Sequence, residues 1–166
     1  MAAREAIRAE TPADEAEIRG ILRSAFGSDA EVILVDALRT DDDLACALIA
    51  ERDGRPVGYI AFQTLLVDPD PGCTVWSLAP VAVTPVHQRQ GLGAALIEAG
   101  LDVARARGVG FVTVLGDPAY YRRFGFRADQ VRDLRVPWSG PHYMGLPLIP
   151  GAQPAGHARY PRAFET

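Results

Sequence analysis

The feature that most constrains the fold is the stretch from Leu78 to Ile97, where an apolar run, a glycine-containing loop and a helix former follow one another. Residues 78–83 are apolar and predict a strand, and the run beginning at Ala94 is rich in strong helix formers. The first turn of a helix leaves about four backbone N–H groups unpaired and carries a partial positive charge. Gly91 and Gly93 let an anion approach those groups without a side chain in the way. The stretch therefore predicts a strand–loop–helix that binds phosphate.

Other nucleotide-binding loops fit this stretch less well. A Walker loop ends in Gly-Lys-Ser/Thr, and this chain contains no lysine. A dinucleotide fingerprint, G-x-G-x-x-G, requires glycine where the chain has Leu96, and it places its glycines directly after the strand. A glycine-containing helix start that binds no ligand stays open as an alternative.

The rest of the chain predicts an α/β protein with a mixed sheet. Asp53-Gly54 joins two apolar runs and is a strong hairpin signal, so the N-terminal part predicts a mostly antiparallel meander. The central strand–helix–strand unit implies a right-handed parallel crossover. A single domain, 1–166, is expected from the length. The predicted strands are 6–9, 44–51, 57–67, 74–83, 111–115 and, as the last strand, 143–148; the predicted helices begin at Thr11 and span 29–39 and 91–107.

Composition and charge exclude several functional classes. No apolar run approaches the ~20 residues that cross a bilayer, and the N-terminus lacks the apolar centre of a signal peptide, so we expect a cytoplasmic protein without a membrane partner. Cys46 and Cys73 are too isolated to predict a disulfide or a metal site. The net charge of −4 argues against nucleic-acid binding. Residues 1–87 are net acidic and 88–166 net basic, which suits a cationic acceptor and a polyanionic cofactor but also an uneven solvated surface.

Two motifs carry a family resemblance. Gln88-x-x-Gly91-x-Gly93 resembles the diphosphate-loop signature of the GNAT N-acetyltransferase family, and Tyr121-x-x-x-Gly125-Phe126 resembles that family's short helix after the fifth strand. Together with the Arg-Tyr-Pro-Arg-Ala-Phe tail, they are similar to its YhbS-like branch of predicted acetyltransferases. The resemblance implies the GNAT acyl-CoA N-acyltransferase fold, in which a parallel strand pair is splayed around the coenzyme A site.

The resemblance also implies a reaction and a set of site residues. The reaction would be transfer of an acetyl or short acyl group from acetyl-CoA to a primary amine of a small molecule or peptide, by direct attack in a ternary complex. Tyr121 would be the general acid that protonates the leaving thiolate. Relatives are often dimers, which implies a homodimer. The residues implied to bind the cofactor are Val81, Ala82, Val83, Gln88, Arg89, Gln90, Gly91, Leu92, Gly93, Ala94, Asp117 and Tyr121.

The general base is the part of the mechanism that the residues leave open. Residues 74–83 contain no acid, so a water chain ending at Asp117 or at an acid of the first two helices would have to serve. His87 is expected on the surface, and nothing near Cys73 would activate its thiol. His142 lies near the last predicted strand, close to where the resemblance implies that acceptors bind, so a role toward the substrate stays open for it. The missing base keeps a second hypothesis open, a non-catalytic acyl-CoA-binding or regulatory module on the same fold.

Overall fold

A computed structural model of the chain describes residues 4–165. These residues contain four α-helices and eight strands, and the strands form an open mixed sheet. Residues 1–3 and 166 lie outside the described part. They belong to the predicted domain 1–166, and residues 1–3 belong to the N-terminus in which no signal peptide is expected. The helices are α1 (Glu15–Phe26), α2 (Ala30–Thr40), α3 (Leu92–Ala106) and α4 (Pro118–Tyr121). The strands are β1 (Glu5–Ala9), β2 (Leu44–Arg52), β3 (Arg55–Asp68), β4 (Thr74–Val83), β5 (Val109–Leu115), β6 (Leu134–Arg135), β7 (Tyr143–Pro147) and β8 (Gly156–Arg159).

The strand order confirms the predicted mixed α/β class. Strands follow one another as β1-β2-β3-β4-β5-β7, and β8 pairs with both β3 and β6. The β1–β2 and β5–β7 pairs are antiparallel, whereas β4 and β5, joined through α3, run parallel. A parallel pair needs a long crossover, and α3 provides it.

Two details of the predicted elements are wrong. The strand at 143–148 is not the last, because β8 follows it, and β6 precedes it. These two strands are only 2 and 4 residues long, too short to show an alternating pattern in the sequence. In α3, the helical spacing of Leu92, Leu96, Ile97 and Leu101 also predicts an inward Val103. Val103 is only half-buried, and Ala104 is fully buried instead.

The chain divides into two compact units, of which the first comprises residues 4–62 and 80–102 of the described part. The sequence predicts a helix start at Thr11, and the structure has a 3-10 turn there, Pro12–Asp14, that leads into α1 at Glu15. The Asp14 carboxylate accepts hydrogen bonds from the Thr11 backbone N–H at 2.7 Å and the Thr11 hydroxyl at 2.9 Å. Gly27, in a left-handed conformation, ends the helix. The core of this unit consists of Ile18, Ile21, Leu22, Val32, Val35, Ile49, Tyr59, Ala61 and Ala82.

Glycines let α3 pack closely in this first unit. A Cβ placed on Gly100 would lie 2.3 Å from the Phe62 ring, and one on Gly58 would lie 3.0 Å from Leu96 Cδ1. The first distance is shorter than real Cβ contacts, so a side chain at Gly100 would have to displace the Phe62 ring, and the second is tighter than most, so one at Gly58 would press on Leu96. This close packing holds α3, and with it the loop before Leu92, at a defined place.

The second unit comprises residues 63–79 and 103–165. The Phe111 ring lies 2.4 Å from the position that a Cβ on residue 145 would occupy, so the close approach depends on Gly145. Tyr160 joins two buried strands, since its hydroxyl lies 3.1 Å from Thr113 Oγ1 and donates to Tyr143 Oη at 3.0 Å. None of the helices within residues 4–165 has the length and apolar character of a membrane span. The core of this unit consists of Leu65, Val75, Phe111, Val131, Leu134, Tyr143 and Ala158.

Candidate functional site

In the first unit, the loop between β4 and α3 has an unusual backbone. A short 3-10 turn, Pro85–His87, follows β4, and its His87 Nδ1 lies 2.8 Å from the Thr84 hydroxyl. Arg89 and Gly91 then adopt left-handed conformations, with φ of +62° and +85°. Such a conformation is rare for a residue with a side chain, and it persists only where the surrounding structure enforces it. Alternating conformations of this kind turn successive N–H groups toward one concavity, which suits an anion.

The backbone N–H groups of the second half of this loop, from Arg89 onward, have no acceptor among the described residues. Within residues 4–165, no protein group accepts a hydrogen bond from the amides of residues 89–94, and the first engaged amide is that of Ala95, which donates to the Gly91 carbonyl at 3.0 Å. No side chain of the described chain caps the start of α3. A Cβ at Gly91 would meet no atom within 4 Å, so the approach is open. The loop therefore presents unpaired donors at the positive end of a helix.

The two glutamines of the loop stabilise its shape. Gln88 Nε2 donates to the Val83 carbonyl at 2.9 Å, and Gln90 Nε2 donates to the Val86 carbonyl at 3.4 Å. The Gln90 Oε1 accepts a hydrogen bond from the Arg52 guanidinium. Because both side chains are engaged, it is the main chain of the loop that is available to a ligand. Arg89 is exposed, and no ion pair involves it in the described part of the chain.

The C-terminal half of β4 runs past its pairing with β5. The parallel register begins at Thr74↔Val109 and ends at Leu78↔Val114, so Ala79 and the residues up to Val83 lie beyond it. Val81 and Val83 are half-buried, and Ala82 is buried in the core of the first unit. Because β5 ends at Leu115, one residue after its last partner, the final five residues of β4 extend past the paired segment.

In the second unit, α4 is built as the sequence indicates. Asp117 Oδ1 accepts a hydrogen bond from the Ala119 N–H at 3.0 Å, and Pro118 occupies the first helical turn. Asp117 thus caps the helix, and it is exposed. An Asp-Pro pair favours a helix cap followed by proline, and the structure confirms that reading of Asp117-Pro118.

Tyr121 closes α4 with its ring held on several sides. Its Cε2 lies 2.5 Å from where a Cβ of Gly116 would stand, and its ring meets those of Phe126 and Tyr120 edge-on at centroid distances of 5.9 and 5.1 Å. Burial, with a smaller contribution from Tyr120, raises the pKa of Tyr121 to about 12. No hydrogen-bond partner of the Tyr121 hydroxyl is found within residues 4–165. The phenol is therefore protonated at neutral pH and free to donate.

Several further side chains near the predicted motifs or of reactive type take structural or surface positions. The Arg123 guanidinium stacks over the Tyr120 ring at 4.6 Å. His142 is exposed, and its Nδ1 lies 3.2 Å from the Gly116 carbonyl oxygen. Burial, and less strongly Asp70, raises the pKa of the Cys73 thiol, which opposes a nucleophilic role. His87 is half-buried and hydrogen-bonded to Thr84.

Three contributors were missed in the sequence. Arg52 at the end of β2 holds Gln90, Gly116 makes room for the Tyr121 ring, and Gln63 donates to the Ala79 carbonyl. Single residues of these types carry no periodic or motif signal, so the sequence offered no means of finding Arg52 or Gln63. The glycine directly before the Asp117-Pro118 cap was the one visible hint.

Comparison with known proteins places the chain. The model of the acetyltransferase (GNAT) family matches residues 15–126, which includes the β4–α3 loop and α4. The chain belongs to the acetyltransferase (GNAT) family. The N-acetyltransferase YhbS of Escherichia coli strain K12 is 43% identical over 136 residues, 81% of this chain and 80% of that protein. Membership in the YhbS-like branch, suggested by the motifs, is confirmed, and the chain is an acyltransferase of the GNAT type.

Two solved structures extend the comparison to the fold. The crystal structure of Escherichia coli YhbS in complex with CoA covers 100% of this chain and 94% of its own, with a TM-score of 0.92 and 36% identity. A GNAT acetyltransferase from Brucella melitensis in complex with acetyl-CoA covers 97% and 98%, with a TM-score of 0.81 and 36% identity. The predicted GNAT acyl-CoA N-acyltransferase fold is therefore confirmed.

Proposed function

We propose that the protein transfers an acetyl or short acyl group from acetyl-CoA to a primary amine, by direct attack of the amine in a ternary complex. The observation that carries this proposal is the set of unpaired backbone N–H groups of residues 89–94 at the start of α3. Support comes from two relatives of the same fold that were solved with CoA or acetyl-CoA bound.

The loop main chain would hold the cofactor's diphosphate. The amides from Arg89 to Ala94 donate to its oxygens, and the exposed Arg89 guanidinium adds a charge-assisted hydrogen bond. Gln88 and Gln90 contribute by shaping the loop, since their side chains are already engaged within the protein.

The pantetheine arm would bind along the part of β4 that β5 leaves unpaired. Its amides can pair with the main chain of Val81, Ala82 and Val83 in the manner of an added strand. One lone pair of the Val83 carbonyl is taken by Gln88. Asp117 would contribute to the cofactor site indirectly. It caps α4, and this cap sets the start of the helix that carries Tyr121.

The chemistry requires one bond to form and one to break. The neutral amine nitrogen attacks the thioester carbonyl carbon, the C–N bond forms, and the C–S bond breaks with its electron pair leaving on sulfur. The amine loses one proton to solvent water, and the sulfur gains one, giving an amide and free CoA. No activated nucleophile is found among the described residues, which favours direct attack over a covalent enzyme intermediate.

Tyr121 would donate the hydrogen bond that stabilises the leaving sulfur. A phenol whose pKa is about 12 is a weaker acid than an ordinary thiol of pKa ~8.5, so full transfer of its proton to a thiolate is uphill. Hydrogen-bond donation to the developing negative charge is therefore its main contribution, and solvent restores the balance of protons.

The acceptor is proposed as a cationic primary amine, of a small molecule or a peptide. The support is the net acidic character of residues 1–87, which attracts amines through their protonated form. This negative charge supports cationic amines as a class of acceptor, and it does not distinguish one such amine from another.

Two glycines that flank α3 provide a matched test of the diphosphate site. Gly91 before the helix and Gly108 after it both have left-handed φ, +85° and +76°, and a Cβ on either meets no atom within 4 Å. Gly91→Ala and Gly108→Ala should therefore cost similar stability through backbone strain, about 1 kcal/mol each. We expect only Gly91→Ala to weaken acetyl-CoA binding measured by calorimetry, by at least about tenfold. Equal affinities in the two variants would contradict the site assignment.

Release of free thiol from acetyl-CoA, measured over a panel of primary amines, tests the reaction itself. Amine-dependent release supports N-acetyl transfer and identifies the acceptor class. Binding of acetyl-CoA without release for any amine would favour the second candidate, a non-catalytic acyl-CoA-binding module; the observation behind it is that β4 carries no acidic residue.

A further inference from the structure

We propose that Arg52 is a positioning residue for the cofactor site: through Gln90, it holds the β4–α3 loop in the conformation that presents its backbone amides. The inference rests on the proposed function, because that function gives the unpaired amides of residues 89–94 their ligand. All the residues that carry it lie in the first unit.

Few contacts hold the middle of this loop in place. Arg89 and Gly91, on either side of Gln90, have left-handed φ of +62° and +85°. That conformation is unfavourable for a residue with a side chain, and it persists only where other contacts enforce it. Within residues 4–165, the amides of this segment have no acceptor, and Arg89 and Gln90 are both exposed. Side-chain hydrogen bonds are what remains to hold the segment.

Gln90 supplies those hydrogen bonds. Its Nε2 donates to the Val86 carbonyl at 3.4 Å, a contact that stays inside the loop. Its Oε1 accepts a hydrogen bond from Nη1 of Arg52, which ends β2 and precedes Gln90 by 38 positions in the chain. In the described part of the chain, this is the one hydrogen bond that joins residues 89–91 to a strand of the sheet. Arg52 therefore ties the strained segment to the sheet.

The Arg52 guanidinium is itself fixed. Its side chain is only 17% exposed, and its Nη2 pairs with the carboxylate of Glu5 on β1. Glu5 stands directly opposite Arg52 in the β1–β2 register, so the two side chains are cross-strand neighbours. A guanidinium carries its donors in a rigid planar fork, which lets one of them face Glu5 while another faces Gln90. Arg52 is thus a defined anchor point for the loop.

A loop that already has its binding conformation binds its ligand more tightly. If the segment relaxed, part of the binding free energy of the diphosphate would be used to restore it, and the apparent affinity would fall with the fraction of competent molecules. Without Arg52, Gln90 keeps only the 3.4 Å contact to Val86, and the Glu5 carboxylate loses its counter-charge. Both changes oppose the binding of a polyanion.

Arg52→Met tests the inference, because methionine is unbranched and has no charge or hydrogen-bond donor. Gln90→Met is the second variant, and it leaves the core intact because Gln90 is exposed. Arg39→Met is the matched control: the Arg39 side chain is 22% exposed and pairs with Glu10 at 2.7 Å, without touching the loop. For these variants and for the double variant of Arg52 and Gln90, we would measure acetyl-CoA affinity by calorimetry and Tm by thermal unfolding.

The affinities are compared at ~0.5 M salt, where interactions between exposed charges more than ~4 Å apart are largely screened. We expect Arg52→Met and Gln90→Met each to weaken acetyl-CoA binding by about five- to tenfold. The double variant should bind about as weakly as the weaker single variant, because both changes break the same tie. Arg39→Met should lower Tm and leave the affinity unchanged.

Two results would overturn the inference. Losses that add up in the double variant would show that Arg52 acts independently of Gln90, and unchanged affinity in both single variants would show that the tie does not position the loop. Failure of the wild-type protein to bind acetyl-CoA at ~1 mM would instead overturn the proposed function, and this inference with it.

Discussion

Replacing Gly116 by alanine should displace the Tyr121 ring, and the size of the effect follows from the structure. A Cβ at position 116 would stand 2.5 Å from Tyr121 Cε2 and 3.0 Å from Cδ2, whereas ordinary contact begins at 3.4 Å. The ring must therefore retreat by about 0.9 Å. Phe126, which is buried, and Tyr120 contact the ring edge-on and limit that movement.

Overpacking of this kind typically costs about 1–3 kcal/mol. In a chain of this length, 1 kcal/mol corresponds to about 2–4 °C in Tm, so Gly116→Ala should lower Tm by about 2–12 °C. Turnover should fall as well, because the hydroxyl that faces the leaving sulfur in our proposal moves with the ring. Gly20→Ala is the control, since Gly20 is exposed within α1 and a Cβ there meets nothing within 4 Å; it should stabilise by about 1 kcal/mol.

A double-mutant cycle in thermal or urea unfolding decides whether the ring is the cause. In a Tyr121→Ala background the clash is gone, so Gly116→Ala should be neutral to within about 0.5 kcal/mol, or slightly stabilising through the unfolded state. If Gly116→Ala is as costly without the Tyr121 ring as with it, the contact at 2.5 Å does not determine the effect and the reasoning is refuted.

Two further predictions concern protons. Tyr121→Phe should lower turnover without changing acetyl-CoA affinity. The shape of the pH–rate profile between pH ~6 and ~10 should also stay the same, because a phenol with a pKa of about 12 does not titrate there. A fall in rate at high pH that is present in the wild type and lost in the variant would contradict this. Asp14→Asn should lower the free energy of unfolding above about pH 4. In urea unfolding, the decrease of that free energy between pH ~5 and ~2 should also be smaller in the variant than in the wild type. Hydrogen bonds from Arg8, and less strongly from Thr11, hold the pKa of Asp14 well below its usual value, so its contribution is present above the unfolded pKa and lost as pH falls; an unchanged acid profile in the variant would exclude it.

Elements governed by local chemistry were predicted well. The bounds of β4, the Asp53-Gly54 hairpin, the helical turn that starts after Thr11 and the Asp117 cap of α4 all match the structure. Each depends on residues within a few positions of one another, so spacing and residue type carry enough information. The assignments of cofactor contacts, of Tyr121 as the hydrogen-bond donor and of one domain over 1–166 stay predictions.

Long-range pairings were not visible in advance. Strands β6 and β8 are held by backbone pairing with distant strands, which a short segment does not announce. The hydrogen bonds from Arg52 to Gln90 and from Gln63 to Ala79 cross 38 and 16 positions of the chain. A lone arginine or glutamine has many possible partners, and only the packed structure selects one.

The sequence by itself determined the kind of protein this is. A helix start with glycines at 91 and 93, an apolar strand interrupted by Pro80, and a tyrosine placed after a capped turn are local patterns with local physical causes. The tertiary structure alone decided how those parts are made usable. It leaves the loop amides of residues 89–94 without protein acceptors, ends the β4–β5 ladder at Leu78, and presses the Tyr121 ring against Gly116. These features depend on which distant groups come into contact, and contact between distant residues is a property of the folded chain.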